Sequence, residues 1–397
     1  MAVNQHKPLE YISSERYKEL KIKKKTLMKN TYNCNKRLFI ISTFVLLFAS
    51  QQVSSQVSES QQISKSFKVN NNTIIDIDNK YGDVVIETWE GDSVYVEINY
   101  EVNEKSRDRL RLKMDQIHFE LTHTGHYLVI NTIIRNNRNA LLNEIRRLAE
   151  RIGVGESQVQ IHMNIKVPDN LDLRIKNKFG NIYIDNYNGN VSIDLSNGRL
   201  SANELTGYAK IKVSFGDAII QRIDTGNLEI YYSDMNLASA RRLRINSKTS
   251  NITITEVNEL YVNSNRDTYL IRMISDFETE ANWTNFSIND FKLKSNIKMN
   301  YGRLNIDRIR SSIENISIDA RSTSISIMLD PDTDMNFDII TNRDIDIPNE
   351  SILDNSEQIN DKDKLVRYTG RTANIDIEKP KLIMNTSSAN ISILKHD

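Results

Sequence analysis

Residues 179–232 read FGNIYIDNYNGNVSIDLSNGRLSANELTGYAKIKVSFGDAIIQRIDTGNLEIYY, and one phrase recurs through them. An aromatic residue or Asn, then Gly, a polar residue and alternating apolar positions begin at Phe179, Asn197 and Phe215. The glycines of the phrase, Gly180, Gly198 and Gly216, are 18 residues apart. A second set, Gly189, Gly207 and Gly226, falls halfway between them at spacings of 18 and 19. A regular period of this length marks an architecture in which each repeat stacks on the next. Between the glycines the chain alternates. Val191, Ile193 and Leu195 alternate with Ser192 and Asp194, and Leu228, Ile230 and Tyr232 with Glu229 and Tyr231. Period two is the mark of a strand with one buried and one wet face. The stretch therefore predicts an all-β fold, a β-solenoid or β-helix of about 17–18-residue coils. Each coil is expected to hold two short strands and two tight corners, with glycine at the corners because it reaches φ > 0 without a Cβ clash.

Outward from this stretch the phrase returns as Tyr81-Gly82-Asp83 and Tyr301-Gly302-Arg303, while Ser233 and Ser250 stand where glycines are due. The N-terminal part is less regular. Strands are expected at 73–78, 84–88 and 94–102, then a helical stretch at 104–117 and strands at 118–122 and 127–134. An amphipathic helix follows at 139–152, with Leu141, Ile145, Leu148 and Ile152 on one stripe. A strand at 158–167 and Pro168 introduce the regular part. Residues 330–364, rich in Asp and Asn, read as a loop insertion before closing strands at 373–377 and 390–394. The domain plan is thus an N-terminal extension with a signal peptide (1–55), a β-rich capping section with one or two short helices (56–168), and a repetitive solenoid (169–397).

Lys36 and Arg37 precede an apolar run, LFIISTFVLLFA, followed by small and polar residues. Twelve residues span about 18 Å as a helix, too little for a hydrocarbon core near ~30 Å. Val53 and Ser55 satisfy the small-residue rule for a cut ahead of Gln56, and Met28 would give the signal an ordinary length. Left uncleaved, the segment would be the chain's membrane anchor. Cys34, the one cysteine, precedes the run, which excludes a lipoprotein site, a disulfide and Cys-ligated zinc in the mature chain. Residues 1–55 hold ten of the 52 basic residues and three of the 52 acidic ones, leaving 42 and 49 for the rest. A mildly acidic mature chain lacks the footprint of a nucleic-acid binder.

Few residues suggest chemistry. His118, His123 and His126 are the one imidazole cluster and have no carboxylate at ligand spacing. Asp330, Asp332 and Asp334 imitate the opening of a calcium loop, but Met335 and Thr341 replace the required Gly and Glu. Gly153 and Gly155 lack the third glycine of a dinucleotide loop, and there is no Gly-x-Ser-x-Gly elbow. Tyr183, Tyr187, Tyr231 and Tyr261 are candidates for an exposed sheet face that stacks on sugars or anchors a protein. Arg146, Arg147 and Arg151 lie opposite the apolar stripe of 139–152, which suits either an anionic membrane surface or a cap over an open sheet edge. No catalytic, cofactor or metal residue is assigned.

The run from Ile165 to Ile182, IKVPDNLDLRIKNKFGNI, joins a strand, a Val-Pro step, a second strand and Asn-Lys-aromatic-Gly-Asn-apolar. It resembles the hallmark of the bacterial putative-adhesin β-strand-repeat domain family, a domain of unknown function. Asn79-Lys80-Tyr81-Gly82-Asp83-Val84 repeats its ending. Asn385-Thr-Ser-Ser-Ala-Asn-Ile-Ser-Ile393 resembles the family's final coil, with Ala389 in place of Gly. The resemblance covers residues 66–394 and implies an exported β-solenoid without catalytic residues. The expected function is a non-enzymatic cell-envelope adhesin or structural protein, located in the periplasm, at the outer surface or secreted. Its partner would be a protein or a polysaccharide. A carbohydrate-active enzyme on a β-helix and a periplasmic sensor or regulatory partner are the alternatives.

The mature protein is expected to begin at Gln56. Mass spectrometry of protein recovered from the envelope checks this, and a start at residue 1 or 28 overturns it.

Overall fold

Alternation of apolar and polar residues commits nearly every described segment to strand, because a strand buries every second side chain. The computed structural model describes residues 56–135, 158–372 and 381–396, all within the unit Gln56–Asp397. The signal segment, the 139–152 helix and the 373–377 strand lie outside the described residues. The all-β expectation holds, with a single described helix.

The N-terminal section holds β1 (Val57–Lys68), β2 (Ile74–Lys80), β3 (Val84–Thr88), β4 (Ser93–Glu104), α1 (Arg107–Met114), β5 (Ile117–His123), β6 (Tyr127–Ile134) and β7 (Gln158–Val167). Helix α1 starts where Ser106, in extended conformation, accepts from the Arg109 amide and so satisfies a free helical donor. Strand β4 alternates cleanly, burying Val94, Val96, Ile98, Tyr100 and Val102. Strand β1 does not: VSESQQISKSFK is mostly exposed, and it is a strand because it pairs antiparallel with β4 along its whole length.

The regular part comprises β8 (Asp172–Lys178), β9 (Ile182–Ile184), β10 (Val191–Ser196), β11 (Arg199–Ser214), β12 (Asp217–Tyr231), β13 (Asp234–Lys248), β14 (Asn251–Asn265), β15 (Thr268–Ile309) and β16 (Asn315–Leu329). Parallel pairing sets Leu173 beside Val191 and Arg199 beside Asp217, an offset of 18 residues. Farther on, Asp217 pairs with Asp234, Asp234 with Asn251 and Asn251 with Thr268, an offset of 17. The change of offset begins at an irregularity between Leu205 and Tyr208. The inward residues are aliphatic throughout: Ile193, Ile211, Leu228, Ile245 and Val262 follow one another through the core at no more than 2% exposure. From β11 onward the second set of corners does not break the strand, so one long strand replaces the two short ones expected per repeat. Tyr232, expected inward, is 46% exposed, because the chain has already reached its corner there.

The chain closes with β17 (Asn336–Thr341), β18 (Ile345–Asp346), β19 (Ile352–Asn360), β20 (Leu365–Arg371), β21 (Lys381–Ser387) and β22 (Asn390–Lys395). Residues 330–364 are therefore not a loop insertion. Their Asp and Asn fall on wet positions, while Phe337, Ile339 and Thr341 alternate into the core. Strand β21 pairs in parallel with both β16 and β17, and β22 with both β16 and β18. The last strands thus slot between layers formed earlier in the chain. The beginning is built the same way: β2 lies between β6 and β8, and β3 between β7 and β9. Antiparallel partners flank both ends, β4 on β7 and β20 on β17, and cover strand edges that would otherwise recruit other chains.

The corners correct one expectation in physical detail. The left-handed residue is the one before the glycine: φ is 60° at Phe179 and 57° at both Asn197 and Phe215. Gly180, Gly198 and Gly216 are outside that region and are required for a different reason. A Cβ on Gly198 would sit 1.9 Å from the Gly180 carbonyl oxygen, and one on Gly216 2.0 Å from that of Gly198. Backbone packs directly on backbone here. Where the offset shortens to 17, residues with side chains take over and each accepts from the previous layer. The Gly216 amide donates to Ser233 Oγ (3.2 Å), that of Ser233 to Ser250 Oγ (3.3 Å) and that of Ser250 to Asp267 Oδ1 (2.8 Å). The Asn of the Asn-Lys-aromatic-Gly motif also acquires a role. Buried Asn177 donates its amide to the Gly82 and Asn181 carbonyls, both at 3.0 Å, tying two corners together. At the closing corner Ser388 takes the left-handed place (φ 53°), and Ala389 is fully buried after it.

Gly198→Ala is expected to lower the melting temperature by several degrees, at a cost of about 1–3 kcal/mol as the layers shift. Gly125→Ala, which meets nothing within 4 Å, should melt as wild type. Equal melting of all three proteins refutes the close-approach reading.

Candidate functional site

Because the layers keep register, the residues before each corner form one column. From Phe179 it runs through Asn197, Phe215, Tyr232, Thr249, Arg266, Trp283 and Tyr301 to Ser322, with φ between 49° and 62° throughout. Backbone bonds link neighbours in this order: the Phe215 amide donates to Tyr231, that of Tyr232 to Lys248, that of Thr249 to Asn265 and that of Arg266 to Asn282. The aromatic members stack in pairs. Phe215 lies on Tyr232 with centroids 5.1 Å apart and planes 1° from parallel, and Trp283 on Tyr301 at 4.3 Å and 9°. A third pair, Tyr81 on Phe179, is at 5.6 Å and 11°. Phe215 is 60% exposed and Trp283 56%. Large rings standing in water at a strained backbone conformation are the feature of this surface that core packing does not explain.

Beneath the column lies a buried polar cluster. The Asp267 carboxylate accepts from Ser247 Oγ (2.7 Å), Ser264 Oγ (2.5 Å) and the Ser250 and Asn265 amides (2.8 and 3.0 Å). Ser247 Oγ also contacts the Tyr269 hydroxyl at 2.6 Å, and complete burial pushes that phenol well up from its usual range. Every donor points at the carboxylate, as satisfaction of a buried charge requires. The cluster has no route to a ligand and acts as corner support.

The residues singled out in the sequence separate. His118, His123 and His126 are exposed, and His123 packs edge-on against Phe67 with centroids 6.2 Å apart. Asp330 pairs with Arg308 at 3.1 Å and Asp334 with Lys395 at 2.8 Å, while Asp332 faces solvent. Among the described residues no group of three or more His, Cys, Asp or Glu side chains could hold a metal ion. Tyr187 does not belong to a sheet face in water: it is fully buried and donates its hydroxyl to the Leu171 carbonyl at 2.7 Å. Its inward direction follows from its parallel bridge to Leu205, itself a core residue. Tyr183 is 38% exposed, Tyr231 is half-buried, and Tyr261 carries the Arg244 guanidinium 4.1 Å above its ring. Arg146, Arg147 and Arg151 lie outside the described residues. The corner rings were visible in the sequence as the first letter of the repeated phrase, but nothing in the pattern showed that they point outward.

A polar cavity of about 420 Å³ opens where Trp89, Glu90 and Asp92 face Pro168, Asp169 and Asn170. Its groups are already committed. The Trp89 indole donates to the Ser93 carbonyl at 2.9 Å, Asp92 pairs with Lys68 at 3.0 Å, and Asp169 accepts from the Asn188 amide. The bonds from Lys68 and Ser93 hold the Asp92 carboxyl below its ordinary range.

No family model and no curated protein matches the chain. Solved structures do align with it. A putative adhesin from Parabacteroides distasonis is 8% identical, covers 85% of this chain and 97% of its own, and gives a TM-score of 0.31. A putative adhesin from Parabacteroides merdae is 9% identical over 84% and 96% of the two chains, with a TM-score of 0.29. A putative cell adhesion protein from Clostridium sporogenes is 10% identical over 85% and 100%, with a TM-score of 0.16. Scores this low carry no argument, and those names belong to those proteins.

The closing layers are pinned electrostatically. Asp338 on β17 accepts two bonds from Arg367 on β20 (2.9 and 2.8 Å) and lies 3.6 Å from Lys381 on β21. The Arg367 bonds, opposed by partial burial, hold its carboxyl below the ordinary range. A depressed carboxyl stabilises the fold above its unfolded pKa, about 3.9, and loses that contribution as pH falls through the folded value. Hydrogen exchange should therefore show β17, β20 and β21 opening as pH drops below about 4, with the effect absent in Asp338→Asn. Acid opening that is unchanged in the variant refutes the assignment.

Proposed function

We propose that this chain is an exported, non-enzymatic envelope protein: a β-solenoid of 17–18-residue coils (169–397) behind a capping section (56–168), acting by binding a surface partner. The observation that carries this reading is the corner column, which holds large aromatic rings in water on a register-locked scaffold. Rigid aromatic side chains give contact area at little entropic cost, and a fixed column presents them without reorganisation on binding. Export is supported by the apolar run at 38–49 and by a mature chain without a thiol. The family resemblance of the Asn-Lys-aromatic-Gly motifs points the same way. Among the described residues no helix is long and apolar enough to cross a membrane.

The reading predicts that the purified unit from residue 56 binds its host's envelope polysaccharides or surface proteins saturably and leaves them uncut. EDTA should leave its melting temperature unchanged. A chelator-dependent drop of several degrees, or cleavage of a polysaccharide abolished by one carboxylate-to-amide change, overturns it.

A further inference from the structure

The aromatic column is interrupted at two consecutive layers. Phe215 and Tyr232 stack, Trp283 and Tyr301 stack, and Thr249 and Arg266 stand between the pairs. Three strand spacings separate Tyr232 from Trp283, about 14 Å. Stacking rises from layer to layer, so Phe215 covers one face of Tyr232 and the other face looks toward the layer of Thr249. Thr is too short to fill a layer that elsewhere holds a ring. It is also a β-branched residue at φ 53°, a place such side chains rarely occupy. Strain of this kind, persisting without a compensating contact, is a pointer to function.

Charge supplies the second half of the site. Most cations on the neighbouring layers are paired one layer away, as Arg241 with Asp224 at 2.9 Å and Arg242 with Glu259 at 2.7 Å. Lys248 and Arg266 make no ion pair among the described residues, although acidic residues outnumber basic ones beyond residue 55. Lys248 directly precedes Thr249, and Arg266 occupies the next layer of the column. The one acid close by, Asp267, faces inward and is spent on serines and amides.

We infer that the layer of Thr249 is a one-ring site for a uronic-acid residue of an anionic polysaccharide. The pyranose lies on the open face of Tyr232, and its carboxylate pairs with Arg266 and Lys248. A single ring fills the space between the Tyr232 layer and that of Arg266, two spacings or about 10 Å apart. The C–H face of the sugar meets the π face of the tyrosine, and the carboxylate meets a guanidinium able to bind it bidentately. This site rests on the binding reading above and names its ligand class.

The test is titration of the purified unit with polygalacturonate, its full methyl ester and a neutral galactan, read by calorimetry at low and high salt. Polygalacturonate should bind, at least tenfold more weakly in high salt or as the ester, and galactan should not bind. Arg266→Ala and Tyr232→Ala should each weaken binding at least tenfold. The double variant Thr249→Tyr, Arg266→Phe completes the stack with rings the column already accepts at this φ. It should melt no lower than wild type and bind nothing. If wild type ignores polygalacturonate but binds envelope material, the site is wrong and the binding reading stands. If it binds neither, both fall. If it binds polygalacturonate and the filled variant binds as well, the ligand class is right and the location is wrong.

Discussion

Every feature of this protein depends on parallel strands stacking in register at a fixed offset. Once Arg199 pairs with Asp217, and Asp217 with Asp234, each residue is obliged to sit beside its equivalent one step along the chain. Inward positions then form an unbroken aliphatic core, and corner positions form columns. Outward charges meet partners one layer away, as in Lys298 with Glu280 at 3.6 Å. Such exposed pairs contribute little individually, a median near 0–1 kcal/mol. Their regularity is a consequence of register rather than its cause. The cause is the backbone ladder together with apolar burial, which a one-residue slip would turn inside out.

A stacked ladder creates two hazards, its first and last strands. This chain meets them by placing its opening and closing strands inside the stack, β2 and β3 at one end and β21 and β22 at the other. Segments between those strands and the regular part fold back outside them in antiparallel pairs. The arrangement also couples distant stretches: the Ser388 amide donates to the Asn342 side chain at 2.7 Å, and Thr386 Oγ1 to the Ile340 carbonyl at 3.1 Å. Opening either terminal layer therefore disturbs two neighbours.

The sequence made the regular part legible because glycine spacing and alternation are local signals. Strands β3 and β7 were legible to the residue for the same reason, as was the start of the regular part at Pro168. Long-range pairing was not. Strand β1 has no apolar stripe and exists only as the partner of β4. Residues 330–364 hid strands behind Asp and Asn that fall on wet positions. The corner glycines were correctly located and wrongly explained: their spacing showed a corner, while the 1.9 Å approach of Gly198 to Gly180 belongs to a layer 18 residues away. Among the candidate residues, Tyr187 was read as outward because a single aromatic in a short segment does not reveal which face it takes.

The corner column shows how strain and exposure balance. Holding an L-residue in the left-handed region costs roughly 1–2 kcal/mol, and the column imposes this at each layer. A stacked aromatic pair returns about 0.5–1.5 kcal/mol beyond its buried area, so Phe215 with Tyr232 and Trp283 with Tyr301 offset much of their own strain. Asn197 needs less, since Asn tolerates this region. Thr249 and Arg266 have neither excuse. Neither stacks on another ring of the column, yet the backbone holds both as firmly as their neighbours. The ladder on either side fixes their conformation, so its energetic consequence is borne by the whole stack and not by these two residues. An extended register can in this way keep an open, strained and cationic gap at one layer without local instability. A free loop carrying the same residues would relax, and this fold does not allow that.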